Sequence, residues 1–354
     1  MYLIFGLCSK PLLPFFRYSS SCFSYRKAFW QFLYFFKKGP VEQAPFSSYN
    51  EENNKLYVII GGPECIAGAE GGAMEHRVTE AAKREERRRF LQGIAEENRE
   101  ILRKGCYEAG GRRYAFRGGA EELARAECWP QDRLADILER ERQKITERRA
   151  EFLFRAADSF TFPCDAVLNF ANGKTPGGGY LYGASSQEES LCRESTLYAS
   201  LSSPAAAGMY RFNRRYDYPE GSDFFIFSPH VEIFRRSADE GHKLFGPPVL
   251  TSVITAPAAD LRGEARLFPM SEIERVMVQR IRYILALASF RGCRSIALGA
   301  WGCGVFGHRP ADVSRYFRQV LTEEHFSSLF DRVLFAVYSP GDPSYLEAFR
   351  SVPE

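Results

Sequence analysis

The chain has no C-x-x-C pair among its nine cysteines and no H-x-x-x-H or comparable spacing among its five histidines. Cysteines that are odd in number and scattered (Cys8, Cys22, Cys65, Cys106, Cys128, Cys164, Cys192, Cys293 and Cys303) argue against a disulfide framework and favour a reducing compartment. The histidine pattern argues against a protein-bound metal, and no cofactor is expected. The apolar run from Ala28 to Phe36 falls well short of the ~20 residues that span a bilayer, so no transmembrane segment is expected. A net charge of only +3 carries no electrostatic footprint of a nucleic-acid binder, and direct DNA binding is not expected. The glycines of Ile60 to Gly72 are followed by no P-loop Lys-Ser/Thr and read as a spacer.

Acidic residues are also missing from residues 1–41, which hold six Lys and Arg amid crowded aromatics. That composition fits an organelle transit peptide, a membrane-surface segment, or a stretch outside the functional protein, with Met74 as the working start. The last reading predicts that residues 1–73 pack poorly. A cytoplasmic or nuclear address follows from the cysteine usage, with organelle targeting by residues 1–41 left open.

What is present is a 354-residue chain of ordinary globular composition, 45% hydrophobic and 26% charged, long enough for one α/β domain and an appendage. From Thr79 to Lys104 the spacing of Phe90, Ile94, Ile101 and Leu102 predicts a helix, with Glu80–Arg84 and Glu85–Arg89 as i,i+4 pairs. Its KREERRRF run interleaves both signs of charge and reads as a solvated face. A polar segment over Tyr107 to Ala120 and a second amphipathic helix over Gln131 to Phe152 complete an expected N-terminal helical extension, residues 74–152. Beyond it, Asp223 to Pro229, Leu250 to Pro257, Ser295 to Leu298 and Arg332 to Ser339 read as strands. Pro269 to Ser289 and Pro310 to Glu324 read as helices, and Met209 to Gly221 and Glu232 to Pro248 as loops. Strand–helix alternation predicts a covered, largely parallel sheet between helices over residues 153–354.

The stretch Val167 to Leu201 organises this pattern. A buried strand (Val167, Leu168, Phe170) is broken by the amides of Asn169 and Asn172 and runs into Gly177, Gly178 and Gly179. Three glycines in a row let backbone N–H groups approach a ligand. A helix then opens on Gln187, Glu188 and Glu189. Ser185 with Glu188, or Ser186 with Glu189, has capping-box spacing. Capping accounts for one glutamate, but not for two, a preceding Gln and the glycine triplet.

Three glycines, seven residues and Gln-Glu-Glu, preceded by the FAN of Phe170, Ala171 and Asn172, resemble the signature of the poly(ADP-ribose) glycohydrolases, most closely the microbial branch. The resemblance spans roughly Glu80 to Arg350. It implies a three-layer α/β/α macrodomain-like mixed sheet with an N-terminal helical extension, and an ADP-ribose polymer as substrate. It assigns Glu189 as general acid/base and gives Glu188 and Asn172 ribose-binding roles. Gly177, Gly178 and Gly179 would approach the distal ribose, and Gln187 would orient the glutamates.

A second loop, Gly299 to Gly307, follows a strand and precedes a helix, where open α/β sheets bind phosphates. Gly302, Gly304 and Gly307 satisfy G-x-G-x-x-G, but too little chain follows for a dinucleotide fold. The resemblance implies that Gly302, Cys303, Gly304, Val305, Phe306 and Gly307 wrap the ADP-ribose diphosphate, with Phe306 packed on the ligand. Where the family continues with Asn and Pro, this chain has His308, Arg309 and Pro310; His308 reads as a surface or loop-stabilising residue. A monomer is expected. A non-catalytic ADP-ribose-binding macrodomain and a hydrolase of single protein-linked ADP-ribose are the rival readings.

Overall fold

The computed structural model describes residues 47–50, 55–58, 71–215, 220–262, 267–339 and 341–354. Two compact units divide it, residues 1–71 and 72–354. In the first, β1 (Ser47–Asn50) pairs antiparallel with β2 (Lys55–Val58). The expectations placed on residues 1–41 lie outside the described residues.

α1 (Gly71–Lys104) starts at the last residue of the first unit and lies otherwise in the second, followed there by the hairpin β3 (Cys106–Ala109) and β4 (Arg112–Ala115) and the short α2 (Ala120–Leu123). Then come β5 (Glu127–Trp129), α3 (Gln131–Arg142), β6 (Glu151–Arg155) and β7 (Ala166–Phe170). Three helices follow in close succession: α4 (Gln187–Glu194), α5 (Leu197–Leu201) and α6 (Ala207–Arg215). Two long strands, β8 (Phe225–Arg235) and β9 (Leu244–Ala256), precede α7 (Met270–Phe290). The chain closes with β10 (Ser295–Leu298), α8 (Pro310–Arg318), β11 (Arg332–Ala336) and α9 (Ser344–Arg350).

Seven strands form one mixed sheet in the order β5-β8-β9-β7-β10-β11-β6. β9, β7, β10, β11 and β6 run parallel, while β8 pairs antiparallel with β9 and with β5. Successive side chains on a strand face opposite sides, and the central strands show it. Ala166 and Leu168, Ile296 and Leu298, and Val333 and Phe335 join one core, packed with α3, α7, α8 and α9. Val167, Ala297 and Leu334 join another, packed with α4, α5 and α6. Both faces are therefore covered, which makes three layers and explains strands that read as unbroken apolar runs.

Several local expectations give way to tertiary pairing. The helix expected over Gln131 to Phe152 ends at Arg142, and Glu151–Arg155 is an edge strand that pairs in parallel with Arg332–Ala336. The charged run looks helical throughout. However, Phe152 and Phe154 alternate, Phe154 stacks on Phe335 at 5.7 Å between centroids, and sheet pairing wins. β5 adds a second strand from the same segment, so the stretch expected as a helical extension contributes to the sheet. Met209 to Gly221 contains most of α6, which buries Met209, Tyr210 and Asn213. Glu232 to Pro248 includes the ends of β8 and β9, whose antiparallel pairing reaches Arg235 and Leu244. Tyr107 to Ala120 includes most of the β3–β4 hairpin. On α1 the inward stripe is Leu91, Ile94, Ala95 and Ile101, and Phe90 is 56% exposed.

Phe335 sits where strand and helices meet, 5.3 Å from the ring centroids of both Phe317 and Phe349. It is fully buried, so Phe335→Ala should lower unfolding stability by about 3–5 kcal/mol. Urea denaturation checks this against a wild-type curve of the same slope.

Candidate active site

The parallel strands β9, β7 and β10 end side by side. After β7 the chain turns to α4 on one face of the sheet, and after β10 it turns to α8 on the other. Adjacent strands whose connections leave on opposite faces open a crevice at their carboxyl ends, the usual ligand site of such sheets. The strand ends are close: a Cβ on Gly299 would lie 3.0 Å from Cζ of Phe170.

Gln187 fastens the first turn of α4 to β7. Its Oε1 accepts from Phe170 N–H at 2.9 Å, and its Nε2 donates to the Leu168 carbonyl at 2.9 Å and to Ser159 Oγ at 3.1 Å. Gln187 thus holds the helix through strand backbone, and the glutamates through the helix. Ser186 occupies the N-cap position, yet its side chain makes no capping bond. The two carboxylates reach outward to other partners, so the capping-box reading does not hold.

Glu188 is fully engaged. Its Oε1 accepts from Asn169 Nδ2 at 3.2 Å and its Oε2 from Asn172 N–H at 2.7 Å. Asn169, an amide in an otherwise apolar strand, also donates to Thr255 Oγ1 on β9 at 3.1 Å. Sequence reasoning noted Asn169 without giving it a part; an amide interrupting a buried strand was the signal. Burial pushes the Glu188 carboxyl from 4.5 up to about 8, against the pull of its hydrogen bonds and with the Glu189 charge adding to the rise. Asn172 spends its side-chain oxygen on the N–H groups of Lys174 and Thr175, at 2.9 and 3.0 Å.

Glu189 is held by one oxygen. Gly179 N–H donates to its Oε1 at 2.8 Å, while Oε2 is buried without a protein partner. The glycines make this possible. Gly177 and Gly178 adopt φ of 65° and 56°, and a Cβ on Gly178 would stand 2.5 Å from Glu189 Oε1 and 3.1 Å from Glu188 Oε2.

The second loop is braced against the end of β9. Trp301, fully buried, donates its indole N–H to the Ala256 carbonyl at 3.0 Å, and Leu261 N–H donates to Phe306 O at 3.0 Å. Gly302 has φ 80° and leaves no room for a Cβ beside His308 and Ala258. His308 is buried, with Nε2 2.7 Å from the Ala259 carbonyl. Burial lowers its pKa, so the ring is neutral and its Nε2–H is the donor. It stabilises the loop and is not a surface residue. Cys303 turns into the main core, and burial pushes its thiol up to about 12, so only its backbone is available to a ligand. Gly304, Val305 and Gly307 are exposed. Phe306 is half-buried on the core, with the Arg262 guanidinium 5.4 Å from its ring centroid. The segment from Pro257 to Leu261 thus joins both loops, since Pro257 also packs on Gly173.

Fold and site together define a three-layer α/β domain with a carboxylate pair and a glycine loop at one sheet switch point. The pattern of the microbial-type PARG catalytic domain matches residues 95–236. The crystal structure of poly(ADP-ribose) glycohydrolase from Thermomonospora curvata is 33% identical, with a TM-score of 0.67, covering 74% of this chain and 98% of that one. The same enzyme bound to the inhibitor ADP-HPD is 34% identical, with a TM-score of 0.65 and coverage of 73% and 98%. The Deinococcus radiodurans poly(ADP-ribose) glycohydrolase in complex with ADP-ribose is 33% identical, with a TM-score of 0.60 and coverage of 66% and 96%. No curated protein matches the chain. This chain belongs to the microbial-type poly(ADP-ribose) glycohydrolases. Among the described residues no helix is long and apolar enough to cross a membrane.

Two outcomes follow from the geometry. Gly178→Ala should displace both carboxylates and cut turnover about 100-fold, the scale of a 1 Å misplacement, read by kinetics on a protein whose circular dichroism is unchanged. The folded chain holds on Glu188 a proton that the unfolded chain releases above pH 4.5, up to about pH 8. The stability linked to it is complete below pH 4.5 and is lost as the pH climbs toward 8. Urea midpoints across that range should fall for the wild type and flatten for Glu188→Gln.

Proposed function

We propose that Glu189 is the general acid/base with which this poly(ADP-ribose) glycohydrolase breaks the ribose–ribose O-glycosidic bonds of its polymer. The observation that carries the assignment is the division of labour between the two oxygens of Glu189. One is fixed by Gly179 N–H and the other, shielded from water, has no protein partner. A proton donor needs such an arrangement: a fixed carboxyl with one oxygen left for the substrate.

In the first step the Glu189 proton passes to the departing ribose oxygen as the anomeric C–O bond breaks and an oxocarbenium-like centre develops. Carboxylate charge beside that centre favours it electrostatically. In the second step the Glu189 carboxylate takes a proton from the attacking water, whose oxygen bonds to the anomeric carbon. Glu188 acts as the positioning carboxyl: neutral at pH 7, it ties the loop at Asn172 to β7 and lines the ribose site. The N–H groups of Gly304, Val305 and Phe306 make no bond to protein among the described residues. They are the groups left to grip a diphosphate, with the Phe306 ring against the sugar or base.

A second reading has one observation in its favour. Burial pushes the Glu188 pKa to about 8, as a general acid requires. Both its oxygens are already taken by Asn169 and Asn172, which leaves none aimed at substrate. Geometry is the stricter test.

Glu189→Gln should therefore lower polymer hydrolysis by about 10²–10⁴-fold, with ADP-ribose still bound on calorimetric titration. Glu188→Gln should retain clearly more turnover than Glu189→Gln, and the reverse ranking would exchange the two roles. The same assay run on mono-ADP-ribosylated protein separates polymer hydrolysis from release of single units.

A further inference from the structure

α1 carries one side chain that helix-making and packing do not require. Asn98 lies mid-helix, where asparagine is a weak helix former, and is 0% exposed. A buried amide is costly unless its hydrogen bonds are met, and a leucine would fill the same space without that cost. Each polar atom of Asn98 is spent on the far side of the interface. Its Nδ2 donates to the Arg193 carbonyl at 2.7 Å and lies 3.3 Å from the Tyr180 hydroxyl. Its Oδ1 accepts from Arg235 Nε at 2.7 Å.

Those partners belong to the frame that fixes Glu189. Arg193 is four residues beyond Glu189, one turn along α4, and its carbonyl is among those a helix end leaves without an intrahelical donor. Tyr180 follows Gly179 directly. The frame closes on itself: Arg193 Nη2 bonds the Ala184 carbonyl, Ala184 N–H bonds the Gly179 carbonyl at 3.1 Å, and Gly179 N–H bonds Glu189 Oε1 at 2.8 Å. α1 also runs hard against this turn. Gly183 has φ 77°, and a Cβ there would overlap the Arg88 carbonyl oxygen.

We propose that Asn98 is a positioning residue of the hydrolase: it ties the end of α4 and the turn at Tyr180 to α1, and so holds the Gly179 N–H on Glu189. The helix ahead of the sheet is then part of the catalytic apparatus. This rests on Glu189 being the acid/base. Among the described residues Asn98 bonds Tyr180, Arg193 and Arg235 and nothing in the second loop, so the effect falls on turnover and not on the diphosphate grip.

Asn98→Asp is the direct test, because it keeps the oxygen facing Arg235 and removes both amide donors. Steady-state kinetics on polymer should show kcat lower by about 10- to 100-fold, the cost of roughly an ångström of misplacement, with ADP-ribose affinity within about threefold of wild type. Tyr180→Phe removes one of the links from the other side without loss of ring packing, and should lower kcat in the same direction. Its effect should shrink when added to Asn98→Asp, since both act on one link. Glu97→Gln, which loosens only the Arg235 pair on the same helix (2.6 Å), should change melting temperature without changing kcat. Wild-type kcat in Asn98→Asp overturns the proposal, as does a loss of ADP-ribose affinity in step with kcat. If Asn98→Asp does not fold, unchanged kcat in Tyr180→Phe overturns it alone. Activity retained by Glu189→Gln would instead overturn the assignment beneath it.

Discussion

Everything at this site depends on one backbone hydrogen bond, from Gly179 N–H to Glu189 Oε1. At 2.8 Å, it exists only because two preceding glycines take left-handed conformations and one of them leaves space where a Cβ would strike the carboxylate. The bond converts a flexible glutamate at the start of a helix into a carboxyl with one fixed and one available oxygen. Glutamates near a helix N-terminus ordinarily serve the backbone of their own first turn. Here both serve loops that come from the strand ends, and the helix is secured by Gln187 instead.

Two adjacent glutamates point about 100° apart around a helix, so they cannot share a task. The structure gives them opposite environments. Glu188 goes into the sheet, both oxygens saturated, and is neutral at physiological pH because burial outweighs its hydrogen bonds. Glu189 goes to the turn and keeps an unpartnered oxygen. Neighbouring residues of one type are thereby separated into one carboxyl with both oxygens bonded and one with an oxygen free of protein partners. The glycine loop opposite is equally dependent on support from beneath. Trp301, His308 and the segment after β9 hold it in shape, and its own Cys303 is given up to the core.

Much of this was legible in the chain. The strand at Ala166–Phe170, the helices at Met270–Phe290 and Pro310–Arg318, and the covered sheet followed from apolar runs and helical spacing, because those signals are local. The loops were legible from glycine spacing. What misled was charge. Glu151–Arg155 continued a helical-looking pattern but became a sheet edge, and α6 and the long ends of β8 and β9 were hidden under polar, proline-containing sequence. For the first two a partner strand or core face far along the chain supplied energy that local propensity could not report, and for the third the two strand ends pair with each other.

The sequence by itself determined the family, the three-layer class and the two glycine loops with their neighbouring glutamates, since motif spacing and apolar periodicity are written in consecutive residues. Only the tertiary structure decided which glutamate keeps a free oxygen, that Asn172 and Gln187 serve backbone, that Cys303 is turned inward, and that Asn98 reaches the site from α1. Those facts depend on hydrogen bonds between residues as much as 137 positions apart, as from Asn98 to Arg235, and a bond of that kind exists only once the chain has folded.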